Sequence, residues 1–298
     1  MTQLKRSIGK WSLVLLIINS IIGAGIFGLP SKVFALSGVY SLLAFGACAI
    51  VVMVFILCFA EVSSRFDKTG GPYTYAYNAL GPFPAFITGW LLLLSRIFNY
   101  ATLINLLVIY LSFFSPAFGE PALRMACILV LTAFFTVINH IGVKNSTRVN
   151  NILTIAKLLP LIAFIVIGLF NIQIGSLHTS QPVQFTSFST SVLLLVFAFG
   201  GFESVLINTG EINNPRKHLP FALITGFIFI TIFYCLIQLV SIGTLPGLAK
   251  SEKPIADAAH LFMGSWGGIL IACGAVISIT GTLNAIVLGG SRLPYAFS

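Results

Sequence analysis

Two glycine clusters and a few charges set in apolar sequence are the residues of this chain that could do chemistry. The first cluster, Gly23-Ala24-Gly25-Ile26-Phe27-Gly28, has G-x-G-x-x-G spacing. A dinucleotide site with that spacing follows a strand and is answered by an acid about 20 residues on. Here the glycines interrupt a long apolar run, and the next acid is Glu61. Glycines in such a run either let helices pack closely or break the helix and free its backbone groups. A second cluster, Phe197-Ala198-Phe199-Gly200-Gly201-Phe202-Glu203, adds an acid to the same kind of interruption. Two breaks in corresponding places point to a transporter site near the bilayer midplane. Freed N–H groups and a positive helix end there hold a carboxylate, while freed carbonyls hold an ammonium or a cation.

Lys157 and Arg96 both fall inside apolar runs. Lys157 lies nine residues beyond Arg148, so a helix carries it about 14 Å from that end, where a charge is costly and usually functional. Burial penalises the charged form, which makes a deep lysine a candidate proton carrier; the other reading is a snorkelling or structurally paired lysine. Arg96 stays charged and is better suited to anchor a carboxylate or carbonyls, with Glu203 a candidate partner. Glu61 reads as interfacial.

These groups must be positioned by spanning helices. Of 298 residues, 57% are hydrophobic and only 8% charged, against about a quarter charged in a soluble domain. That excludes a typical soluble enzyme, a disordered tail and a disulfide scaffold. The predicted fold class is an all-α polytopic membrane protein of about eight spans: 11–37, 39–62, 86–114, 123–141, 149–172, 191–209, 220–243 and 266–290, with a short surface helix at 254–261. Tyr73, Tyr75 and Tyr77 suit an interfacial belt.

With a cytoplasmic N-terminus, one side collects Lys5, Arg6, Lys10, Arg65, Lys68, Lys144, Arg148, Arg216, Lys217 and Arg292, and the other only Lys32, Arg124, Lys250 and Lys253. The positive-inside rule therefore sets the N-terminus in the cytoplasm. The net charge of +9 is scattered at span ends rather than gathered in a patch, so no nucleic-acid partner is expected. The five cysteines all lie in apolar stretches without a C-x-x-C, and isolated His140, His178, His218 and His260 suggest no metal site. No Ser/His/Asp or paired-carboxylate cluster appears, so the chain does not read as an enzyme.

Five spans separate the two breaks, and an odd number of spans inverts the second copy, as in an inverted repeat. Residues 1–173 then form a first repeat of spans 1–5, and 174–298 a partial second repeat of spans 6–8.

Four stretches resemble the amino acid permeases of the amino acid–polyamine–organocation superfamily: Ile22 to Pro30, Gly70-Gly71-Pro72-Tyr73-Thr74-Tyr75, Asn150 to Lys157, and Phe197 to Glu203 with Asn214-Pro215-Arg216-Lys217. Their order covers nearly the whole chain. The resemblance implies a five-plus-five inverted-repeat fold with broken helices 1 and 6. It implies an amino acid site made by Ser20, Gly23, Ala24, Gly25 and Ile26, holding the carboxylate, and by Phe197, Ala198, Phe199, Gly200, Gly201 and Phe202, holding the amine. Phe199 and Phe202 become candidates for gating or pocket walls. Lys157 looks like the span-5 lysine that replaces a sodium site in proton-coupled members, so a proton is the expected coupling ion and no other cofactor is expected.

The expected activity is proton-coupled amino acid symport by alternating access across a bacterial inner membrane. The phenylalanines favour a neutral, apolar or aromatic substrate; Arg96 would favour an acidic one if it faces the pocket. The chain ends at Ser298, just after span 8, and the second repeat lacks partners for spans 4 and 5. The alternative is therefore a shortened homologue that binds substrate or another chain without transporting. The sequence sets no oligomeric state.

Overall fold

The computed structural model describes residues 8–23, 25–66, 71–141, 147–177, 182–206, 209 and 212–297. Ala24, Gly70, Lys5, Arg6, Lys68, Lys144, His178 and Ser298, all used above, lie outside the described residues.

The first predicted span is two helices, α1 (Lys10–Ile21) and α2 (Gly25–Ser37), as its glycines suggested. A 3-10 turn at Gly38–Tyr40 leads into α3 (Ser41–Ser64). The tyrosine-rich stretch is a short helix, α4 (Gly71–Leu80), and α5 (Pro82–Leu111) starts with proline where a missing N–H costs nothing. The turn between them uses Gly81 at φ +90°, a backbone state that a side chain would strain. There follow α6 (Pro121–Ile141) and α7 (Thr147–Leu169). The sixth predicted span again divides, into α8 (Phe185–Phe199) and α9 (Glu203–Leu206). α10 (Pro215–Thr244) and α11 (Pro254–Phe297) complete the order. Gly264, at φ +71°, divides α11, so the predicted surface helix and eighth span are continuous in chain but bent apart.

Among the described residues, five stretches are long and apolar enough to cross a membrane: Gly25–Ser64, Pro82–Leu111, Phe185–Leu206, Pro215–Thr244 and Pro254–Asn284. Lys10–Ile21, Pro121–Val137 and Thr154–Leu169 are apolar but shorter. Leu43, Ile50 and Phe55 on α3, and Phe86, Trp90 and Phe98 on α5, point outward. Such an apolar exterior suits lipid and not water. The chain is a multi-pass membrane protein.

Inside, α1 packs on α7 and α10, α2 on α8, α3 on α8 and α10, and α11 on α5 and α7. The two broken spans thereby meet in the middle of the bundle. Phe45, Phe199, Phe227 and Tyr234 form a buried aromatic cluster beside that meeting point, with ring centroids 5.3–6.4 Å apart. At one end, Ile8 pairs with Ile212 in an isolated parallel bridge, and the Asn213 amide donates to the Ile8 carbonyl at 3.0 Å. Lys10 Nζ sits 3.7 Å from the centre of the Phe221 ring there.

Candidate functional site

The span-1 break begins with a misdirected hydrogen bond. In an unbroken helix the Gly23 amide would serve the Asn19 carbonyl. It donates instead to Ile21 O at 2.7 Å, which releases Asn19 O from the helical hydrogen-bond ladder. An unserved buried carbonyl is costly, so a donor must come from elsewhere. Lys157, from the middle of α7, supplies it: Nζ donates to Asn19 O at 2.7 Å and to Ile22 O at 2.6 Å. Its side chain is 3% exposed. Ser278 of α11 donates to the same Ile22 carbonyl at 3.4 Å. The buried Tyr234 hydroxyl of α10 lies 3.2 Å from Ile21 O.

The span-6 break is built differently. Gly200 N closes the last turn of α8 on Val196 O at 3.0 Å. Gly201, at φ +112°, then turns the chain into a conformation open to glycine. Its amide, which would have served Phe197 O, donates to Glu203 Oε2 at 2.9 Å. The acid read from the sequence as part of the break thus caps that break. Tyr234 OH also lies 3.4 Å from Ala198 O, so one hydroxyl faces a carbonyl from each break. It has one proton, and at any moment donates to one of them.

Two glycines make this crossing passable. A Cβ on Gly25 would come 2.7 Å from Ala198 Cα, and one on Gly201 would fall onto the Ser20 carbonyl. Close packing and helix interruption, alternatives in the sequence, are both present here. Gly23 is less constrained, since a Cβ would meet Thr282 at 3.5 Å.

The predicted site residues divide into those the fold brings together and those it does not. Ser20, Gly25, Ala198 and Gly201 meet at the crossing, while Gly23 faces Thr282 of α11; Gly200 stands at the edge of the crossing, Ile26 and Phe199 are buried, and Ser20 Oγ donates back to Ile17 O at 2.9 Å. Phe202 packs its ring edge-on to Phe59. Phe197 is 37% exposed on α8, turned away from the face that carries Ala198. Arg96, half-buried on α5, donates to Ser204 Oγ at 3.4 Å and forms no ion pair with Glu203. Glu61 is exposed and pairs with Arg65 at 2.7 Å, as an interfacial acid does. Among the described residues no three His, Cys, Asp or Glu side chains gather, so the groups suited to a cation are the freed carbonyls.

Tyr234 and Ser278 escaped the sequence reading. Each is a single hydroxyl in an apolar run, and the signal that could have flagged them is the need of two broken helices for outside donors.

The family model "Amino acid permease" matches residues 8–298. The chain belongs to the amino acid permease family. It is 32% identical over 305 residues to the serine/threonine exchanger SteT of Bacillus subtilis (strain 168), covering 99% of this chain and 68% of that protein. It is 28% identical over 314 residues to the branched-chain amino acid permease BcaP of the same organism, with the same coverage. A solved structure of MhsT in complex with L-phenylalanine superposes with a TM-score of 0.69 at 15% identity, covering all of this permease and 79% of that chain. That likeness establishes the fold, the five-plus-five transporter architecture with broken first and sixth helices. These relatives are transporters, and this permease groups with them rather than with enzymes.

Proposed function

We propose that this permease carries amino acids through the membrane by alternating access, with proton symport in which Lys157 is the proton carrier. The observation that supports this is the Lys157 ammonium, buried and bound to Asn19 and Ile22 carbonyls of the span-1 break. Protonated, it occupies the place a small cation would take and holds the break in shape. On losing its proton it loses the charge that draws the two carbonyls, and the break is released to rearrange. Proton movement and the shape of span 1 are then one event.

In this reading the substrate lies at the crossing of the two breaks. Its carboxylate sits at the first amides of α2, around Gly25 and Ile26, where the helix dipole is positive. Its ammonium takes carbonyls freed at the end of α8, beside Gly200, Gly201 and Phe202. The Tyr234 hydroxyl serves whichever carbonyl the ammonium leaves. Neutral substrates are the first to test, because the two Bacillus relatives are named for serine/threonine and branched-chain amino acids. The excess of bases on one side supports an N-terminus in the cytoplasm, and the Bacillus relatives make a bacterial inner membrane the place to look.

The decisive experiment is uptake of labelled amino acids into proteoliposomes under an imposed pH gradient. Uptake should follow the gradient, and Lys157→Met should abolish that dependence while the protein still inserts. Gradient-independent uptake by the unaltered protein, or unchanged coupling in Lys157→Met, overturns the proton role. Thermal stabilisation by amino acids without any uptake would mark a binding protein instead.

A further inference from the structure

Arg96 is a charge that the transport scheme does not use. It lies midway along α5, a 30-residue span, at a depth where a guanidinium is retained only for a reason. The ion pair among the described residues is Glu61–Arg65, and Arg96 has none. Its hydrogen-bond partner is a neutral hydroxyl, Ser204 Oγ, at the long distance of 3.4 Å. Ser204 is the second residue of α9, and its amide bonds to Gly201 O at 3.1 Å. Gly201 in turn touches Ser20 of span 1. The guanidinium therefore reaches one turn of chain from the point where the two breaks cross. Glu203 is close enough to be felt electrostatically, but its carboxylate is engaged with the Gly201 amide.

Resting on the amino acid site proposed above, we propose that Arg96 reads the substrate side chain. It favours neutral side chains that carry a hydrogen-bond acceptor oxygen close to Cα over aliphatic ones of the same shape. Ser204 Oγ is the neutral acceptor that such an oxygen would replace. A guanidinium donor gains from meeting an acceptor and loses when an aliphatic group displaces Ser204 and leaves it unserved. Acidic side chains are disfavoured by the Glu203 carboxylate beside the same donor. A polar side chain reached from α5 would thus be chosen within a site whose carboxylate and ammonium contacts are common to all amino acids.

Threonine and valine are nearly isosteric and isolate this contact. In the unaltered protein, ligand-induced thermal stabilisation in detergent and competition for uptake should both rank threonine above valine and above aspartate. Arg96→Met should cut the threonine-to-valine affinity ratio about tenfold, the scale of one charge-assisted hydrogen bond, with valine affinity kept or raised because no guanidinium is left unserved. Arg96→Lys should restore part of the ratio, and Ser204→Ala should keep or raise threonine affinity by removing a competitor. Equal losses for threonine and valine in Arg96→Met mean a scaffold role and overturn the inference. So does an unaltered protein that binds valine or aspartate as well as threonine. If no amino acid stabilises the protein or is taken up, the failure belongs to the amino acid site itself.

Discussion

The two breaks look alike in sequence and are held in opposite ways. The span-1 break takes its donors from distant helices: Lys157 of α7, Tyr234 of α10 and Ser278 of α11 all reach its carbonyls. The span-6 break is satisfied largely by its own residues, with Glu203 capping Gly201 two positions away. A break served from outside changes shape when an outside donor changes charge. A break served from within keeps its shape as its surroundings move. In the scheme proposed above, coupling belongs to the first break and a steadier recognition surface to the second.

The largest effects should come from closing the crossing that both breaks share. Gly201→Ala puts a side chain at a left-handed φ and onto the Ser20 carbonyl, and Gly25→Leu wedges α2 from Ala198. Overpacking of this kind costs about 1–3 kcal/mol, more where backbone is struck. Both variants should lose amino acid-dependent thermal stabilisation; retained affinity in Gly25→Leu would remove span 1 from the site.

Lys157→Met comes next. It takes the ammonium from two carbonyls, of which Ile22 O keeps the Ser278 hydroxyl, at a cost of about 1–3 kcal/mol, offset in part because no ammonium need be buried. A lower melting temperature should accompany the loss of pH-gradient dependence, with substrate still bound. Tyr234→Phe removes one hydroxyl and about 1 kcal/mol. Because that hydroxyl faces both breaks, it should weaken substrate affinity and slow turnover together; a change in neither would show that the breaks do not communicate through it.

Smallest is Glu203→Gln, whose amide oxygen can still accept from Gly201. Stability should shift by less than about 1 kcal/mol, and proton coupling measured by uptake should survive. If coupling were lost in Glu203→Gln but kept in Lys157→Met, the division between the two breaks would be reversed.

Much of this was legible in the chain itself. Apolar runs of membrane length with charges at their ends dictate spanning helices, because lipid offers the backbone no hydrogen bonds. Glycine clusters at 23–28 and 200–201 announce where two of those helices stop, and the depth of Lys157 follows from counting residues along a helix. What could not be read was direction. A helix apolar on every side carries no stripe to show which face turns inward, so Phe197 and Phe199 looked equivalent until packing turned one outward and buried the other.

Partners were equally hidden. Freed carbonyls at Asn19 and Ile22 can be foreseen from the break, but their donors lie 138 and 135 positions away. Arg96 and Glu203 suggested an ion pair, and the fold gave each a different partner. The sequence by itself determined the solvent and the places where backbone would be left unserved, since these are local consequences of composition and spacing. Only the tertiary structure decided which side chains serve that backbone, because a hydrogen bond depends on distances of a few ångströms that packing alone sets.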